Sequence, residues 1–210
     1  MRALVVANGE PPSAELLQAL APPGTLVVAA DGGVDKALAA GLHVDAVVGD
    51  LDSASASAHR LLPKDAFHHA GALDQTDLEK AIAFCIASGC EAIDVTAAGG
   101  GRADHALANL SVLRLFRGKA ALRIVDDLFD VCLVSGEERI DAPAGTVVSL
   151  VAIGRCTGVS THGLRWDLSE HTLEFSPLGV HNEVLTPPAT VSVRAGDLLL
   201  FRGRWVEKHR

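Results

Sequence analysis

The chain has 210 residues, 49% of them apolar, enough to bury a substantial core as one large domain or two small ones. Charged residues make up 21%, which excludes a disordered chain, and no apolar run approaches the roughly 20 residues that a membrane-spanning helix needs. A net charge of −8 excludes a nucleic-acid binder working through a basic face, yet leaves nucleotides open, because carboxylates can hold a polyphosphate through a divalent cation.

The chain begins Met-Arg-Ala-Leu-Val-Val-Ala-Asn-Gly. It goes straight into a strand-like run and lacks the hydrophobic stretch and cleavage site of a secretory signal, so a cytoplasmic location is expected. Residues 4–7 form the first of five short apolar runs, followed by 26–30, 46–48, 92–97 and 121–125. Each is bounded by Gly, Asp or Asn and lacks polar alternation, as strands covered on both faces of a parallel sheet do. Helices are expected between them at 13–21, 34–40, 77–88 and 103–117. In the third, Leu78, Ala81, Ile82, Cys85 and Ile86 make one stripe at helical spacing. Segments 8–12 and 21–24 read as ordinary connecting loops. This alternation predicts an α/β fold, a three-layer domain with a parallel sheet over residues 1–134.

Beyond Val134 the pattern changes. Pro, Gly and Thr punctuate short segments at 138–140, 146–152, 172–175, 190–194 and 198–202, and no amphipathic helix remains. Residues 135–210 are expected to form an all-β sandwich or barrel-like domain. Cys85, Cys90, Cys132 and Cys156 show no CxxC spacing, so buried reduced thiols are expected rather than a disulfide framework.

Ligands of open α/β sheets bind beyond the carboxyl ends of the strands. Here those ends are acidic: 26–30 runs into Asp31-Gly32-Gly33, and 46–48 into Gly49-Asp50-Leu51-Asp52-Ser53. A third cluster, Asp74-Gln75-Thr76-Asp77, opens a helix. Carboxylates gathered on one edge repel one another unless a cation sits among them, and hard oxygen ligands on short side chains suit magnesium. Aspartate is also common in turns and helix caps, and Thr76 with Glu79 fits a capping box. Any one of these residues has that structural alternative; three clusters at equivalent strand ends point to a metal–phosphate site.

Ala97-Ala98-Gly99-Gly100-Gly101-Arg102-Ala103-Asp104-His105 follows another strand and opens another helix. Its glycines let backbone approach a ligand, a helix N-terminus offers free N–H groups to an anion, and the fork of Arg102 can grip a phosphate. The Gly-Lys-Ser/Thr of a Walker A loop is missing and the dinucleotide spacing is wrong. A purely structural turn, with His105 as a packed or capping residue, is the alternative at this segment.

In their order these segments closely resemble the thiamine pyrophosphokinase (thiamine diphosphokinase) family. The matching pieces are Ala-Asp-Gly-Gly at 30–33, Gly-Asp-Leu-Asp-Ser at 49–53, Asp-Gln-Thr-Asp at 74–77 and Gly-Gly-Arg-Ala-Asp-His at 100–105, with Asn109 one turn later. Gly163-Leu164-Arg165-Trp166-Asp167-Leu168 is similar to the family's Gly-Leu-Lys-Tyr/Trp-x-Leu, and His181-Asn182-Glu183 to its Ser-Asn-Glu. The resemblance covers nearly the whole chain. It departs at Leu73, where the family often has Lys or Gln, and at His181.

The resemblance implies a homodimer that transfers the pyrophosphoryl group of ATP to the thiamine hydroxyl, leaving AMP, with substrate sites near the dimer interface. It implies Asp50, Asp52 and Asp77 as magnesium ligands, with Asp31 beside them. Gly32, Thr76, Gly100, Arg102, Asp104 and His105 would contact ATP, while Trp166, His181 and Asn182 belong to the region enclosing thiamine. Trp166 could equally anchor the β-domain core. Asp77, then Asp74, is the expected acceptor of the hydroxyl proton; Asp52 and Arg102 complete the catalytic set. Three competing readings are a pyrophosphokinase for another hydroxymethyl heterocycle such as a pterin, a non-catalytic Mg-nucleotide-binding module, and a metal-dependent phosphohydrolase.

Overall fold

The structure, a computed structural model, describes residues 1–71 and 74–206. Its first unit, Met1–Asp127, starts with β1 (Arg2–Val6), α1 (Ala14–Leu20), β2 (Leu26–Ala30), α2 (Gly33–Ala39) and β3 (Ala46–Gly49). It continues through α3 (Ala56–Leu61), β4 (Phe67–His69), α4 (Asp77–Ala87), β5 (Ala92–Thr96), α5 (Ala103–Leu110), α6 (Val112–Leu115) and β6 (Ala121–Val125). The five apolar runs are β1, β2, β3, β5 and β6. Leu4, Val5 and Val6 are fully buried, which is why these strands show no alternation in sequence.

All neighbouring strands of this unit pair in parallel, in the order β4-β3-β2-β1-β5-β6. The order reverses between β1 and β5, so a crevice opens outside their carboxyl ends. One core cluster joins Leu4, Val6 and Ala29 of the sheet to Leu16, Leu17 and Leu20 of α1 and Val34 and Ala37 of α2. The start of α2 lies hard against β1: a Cβ on Gly33 would fall 2.1 Å from the Val6 carbonyl oxygen. Only glycine permits that approach.

Two short elements were invisible in the sequence. Helix α3, capped by the Ser55 hydroxyl, buries only Ala58, so it carries no apolar stripe. Strand β4 is a three-residue edge strand with no fully buried residue. The helix expected over 103–117 is divided at Ser111 into α5, which buries nothing, and α6, which buries Val112 and Leu113.

The second unit begins at Leu128 and is all β: β7 (Phe129–Leu133), β8 (Glu137–Ile140), β9 (Thr146–His162), β10 (His171–Leu173), β11 (Asn182–Glu183), β12 (Ala189–Ser192) and β13 (Ala195–Val206). β7 pairs antiparallel with β13. The expected boundary at 134 left these residues in the first domain; Phe-Asp-Val-Cys-Leu reads as a strand either way, and only its partner assigns it.

β9 has 17 residues, far more than the expected 146–152. Gly154 and Gly158, with φ of 83° and 63°, look like a loop in sequence but act as bends within one strand. β9 pairs with β13 as far as Thr157 and with β12 from Ser160. Ile140, Leu150, Cys156, Leu173, Val191 and Leu198 fill the core of this unit. None of the four cysteines forms a disulfide, and burial pushes the Cys85 thiol up to about 12. Among the described residues no helix is long and apolar enough to cross a membrane.

Candidate active site

Three strand ends of the first unit carry non-glycine residues in left-handed backbone: Asp31 after β2 (φ 44°), Leu51 after β3 (φ 67°) and Ala97 after β5 (φ 53°). Such conformations cost roughly 1–3 kcal/mol each and persist where the surrounding structure imposes them, commonly at functional sites. Asp31, together with Asp52 after Leu51 and Ala98 after Ala97, lines one cavity of about 720 Å³, at the point where the strand order reverses. Its walls come from the loop after β1 (Asn8, Gly9, Glu10), from Asp31, from Asp52 and Ser53, from Thr76 and Asp77, and from Gly99 through Arg102 with His105 and Asn109.

Asp31, Asp50 and Asp77 each offer a carboxylate oxygen, and the three lie within 4.8 Å of one another. Asp31 is 5% exposed and held on both sides: its N–H donates to the Val48 carbonyl (3.0 Å) and its Oδ1 accepts from the Ser53 N–H (3.2 Å). Asp77 is the first residue of α4. Thr76 caps that helix, its Oγ1 accepting from the Glu79 N–H (3.3 Å) while Glu79 Oε2 accepts from the Thr76 N–H (3.1 Å), which is the expected capping box. Lys80 Nζ donates to Asp77 Oδ1 at 2.9 Å.

Gly49 makes this convergence possible. A Cβ there would lie 3.0 Å from Asp31 Cβ and 3.0 Å from Asp77 Oδ1, so a side chain would stand where the two carboxylates meet. Three hard oxygen donors without nitrogen or sulfur fit magnesium, which accepts a few carboxylates and leaves positions for phosphate.

The grouping differs from the set implied by resemblance. Asp31 joins Asp50 and Asp77, and Asp52 does not. Leu51 turns the chain between Asp50 and Asp52, with Asp52 N–H directed to Asp50 Oδ1 (3.4 Å) and Asp52 Oδ1 accepting from the Ser53 hydroxyl (2.9 Å). Asp52 remains in the cavity wall. Asp74 is exposed and outside that wall, and Leu73 lies outside the described residues. Gly32, outside that wall, is the N-cap residue of α2, where a Cβ would meet the Asn8 side chain at 2.5 Å.

On the opposite wall, Arg102 grips Asp104 through two hydrogen bonds of 3.1 and 2.6 Å. The bond from Arg102 holds the Asp104 carboxyl down at about 2, and the same pairing raises the guanidinium, so both stay charged at neutral pH. Gly100 has φ 78°, and its missing Cβ leaves room for Glu10, whose carboxylate would otherwise be 2.6 Å away. Asn109 Nδ2 donates to the Ala98 carbonyl (2.7 Å) and ties the turn to α5.

The family model described as thiamin pyrophosphokinase, catalytic domain, matches residues 17–125, about half of the chain. The chain belongs to the thiamin pyrophosphokinase family. The same family's vitamin B1 binding domain matches residues 137–198. A thiamine pyrophosphokinase of Bacillus subtilis is 26% identical over 186 residues, 85% of this chain and 87% of that one. Thiamine pyrophosphokinase 3 of rice is 26% identical over 174 residues, and the match spans 62% of that protein's length. In structure, a crystallised thiamine pyrophosphokinase of Bacillus subtilis superimposes with a TM-score of 0.85 at 24% identity, covering 98% of this chain and all of that one. That likeness carries the fold.

In the unit matched by the B1-binding domain, Trp166 is 59% exposed, which removes the alternative of a core anchor. The Trp166 N–H donates to Asn182 Oδ1 (3.2 Å) and Asn182 Nδ2 returns a bond to the Trp166 carbonyl (2.8 Å). His181, in left-handed backbone at φ 64°, donates its N–H to Ser149 Oγ (2.9 Å). Trp166 and Asn182 are thus fixed side by side with the indole exposed to solvent, and Arg165 stands 5.7 Å from its ring centre.

Two groups escaped the sequence reading. Asn8, Gly9 and Glu10 were read as an ordinary loop, though the signal was there: the loop follows a strand that proves central, and such loops border the site. Lys80, buried beside Asp77, is the second; a lysine within a helical stretch carries no local mark of burial.

Proposed function

We propose that the chain transfers the pyrophosphoryl group of ATP to the hydroxyl of thiamine, giving thiamine diphosphate and AMP. The convergence of Asp31, Asp50 and Asp77, of which Asp31 and Asp77 line the strand-reversal cavity, carries this reading. In this proposal Asp31, Asp50 and Asp77 hold magnesium, with Asp52 adjacent. When bound, the ion neutralises phosphate charge. The N-terminus of α5 and Arg102 cradle the remaining phosphates, with Gly100, Asp104 and His105 lining the ATP site and Thr76 and Gly32 shaping it.

The thiamine hydroxyl oxygen attacks the β-phosphorus, the bond from that phosphorus to the α–β bridging oxygen breaks, and AMP departs with the electron pair. The hydroxyl proton passes to a carboxylate, Asp77 first and Asp74 second. Rate comes from positioning and charge neutralisation, as in other phosphoryl transfers. Thiamine contacts are assigned to Trp166, His181 and Asn182. A homodimer and a cytoplasmic location belong to the same proposal.

Incubation with ATP, magnesium and thiamine, followed by product identification by mass, tests the reading. Thiamine diphosphate and AMP are expected. Turnover of a hydroxymethyl pterin instead, ATP binding without products, or phosphate release without an acceptor would each replace it. Arg102→Ala should raise the KM for ATP by about tenfold, the loss of roughly one charge-assisted hydrogen bond. Its side chain is exposed, so unfolding curves should be unchanged; an unaltered KM would remove Arg102 from the phosphate site.

A further inference from the structure

Lys80 is the one charged residue buried by α4 that no part of the proposed reaction uses. Its side chain is 8% exposed, and its Nζ stands 2.9 Å from Asp77 Oδ1. A lysine on a helix ordinarily keeps its ammonium in water by extending its stem. Burying the charge carries a desolvation penalty that a single ion pair seldom exceeds. A buried lysine directed at a member of a three-carboxylate cluster therefore needs a reason beyond the local pair.

The charge count supplies one. Three ionised carboxylates within 4.8 Å carry three negative charges, and the adjoining ammonium reduces the set to two, matching one divalent cation. Without metal, the ammonium is the cation that offsets repulsion among the three oxygens. Resting on the magnesium reading above, we infer that Lys80 is the built-in counter-ion of the Asp31–Asp50–Asp77 cluster and competes with the divalent ion for Asp77. The lysine keeps the three side chains gathered before metal arrives, and each cation weakens the hold of the other. Such coupling between two ligands of one site is reciprocal.

Lys80→Met retains length and helix propensity and removes the charge. Lys80→Gln retains an N–H donor for Asp77 and also removes the charge. Magnesium binding by the full chain is measured by titration calorimetry, and thermal unfolding is followed in a chelator and in saturating magnesium. Both variants are expected to bind magnesium about fivefold more tightly than the wild type, the lower end of ordinary coupling. Both should unfold at lower temperature in the chelator, with most of that loss recovered in magnesium. Unchanged or weaker magnesium affinity in both variants overturns the inference. So does an equal fall in midpoint with and without magnesium, which is the behaviour of a purely structural lysine. A wild-type chain with no magnesium affinity would overturn the metal reading itself, a result visible before any variant is made.

Discussion

Asp77→Asn lowers kcat for thiamine diphosphate formation by about 10³-fold, the upper range for removing one preorganised electrostatic group. The substitution keeps shape. Thr76 still caps α4 through the Glu79 N–H, and the amide oxygen can still accept from Lys80. What disappears is the charge of a carboxylate that stands in the three-oxygen cluster and is proposed to take the hydroxyl proton. Because Lys80 then faces an amide, the fold loses about 1–2 kcal/mol, a few degrees in thermal midpoint. Initial rates at saturating ATP, alongside an unfolding curve, separate the two effects. Turnover near the wild-type rate would end the assignment of Asp77 to metal and proton.

Gly49→Ala should lower kcat/KM by about 10²-fold, the scale on which a displacement of an ångström in catalytic groups is felt. The new methyl would stand 3.0 Å from Asp31 Cβ and from both Cγ and Oδ1 of Asp77. Asp31 has little freedom to move, being buried and tied to Val48 and Ser53. The displacement therefore falls on Asp77, and the cluster opens. Overpacking of this kind costs about 1–3 kcal/mol, so the chain still folds and the loss appears in activity and in the magnesium midpoint. Full activity in this variant would show that the close approach of Asp31 and Asp77 is not needed.

Much of the first unit was legible because its signals are local. β2 and β6 coincide with their apolar runs, and α4 starts where the Thr76–Glu79 capping box places it. The glycine-rich turn and the acidic strand ends could be read as a phosphate and metal site because loops at the carboxyl ends of parallel strands meet by topology alone. The second unit was less legible. Gly154 and Gly158 concealed the length of β9, and the five residues of β7 carry no mark of the strand they will pair with. The exposed indole of Trp166 was undecidable in sequence, since tryptophan serves cores and binding surfaces alike.

The sequence by itself determined the fold class, the family and the roster of acidic and glycine-rich loops, because periodicity and turn chemistry act over a few residues. Only the tertiary structure decided which carboxylates meet. Asp31, Asp50 and Asp77 come from three separate elements, while Asp52, two residues from Asp50, is turned aside at Leu51. Likewise only packing could show that the ammonium of Lys80 is buried beside Asp77. Distances of a few ångströms between residues far apart in the chain are set by how the strands twist and the helices pack, and no local pattern encodes them.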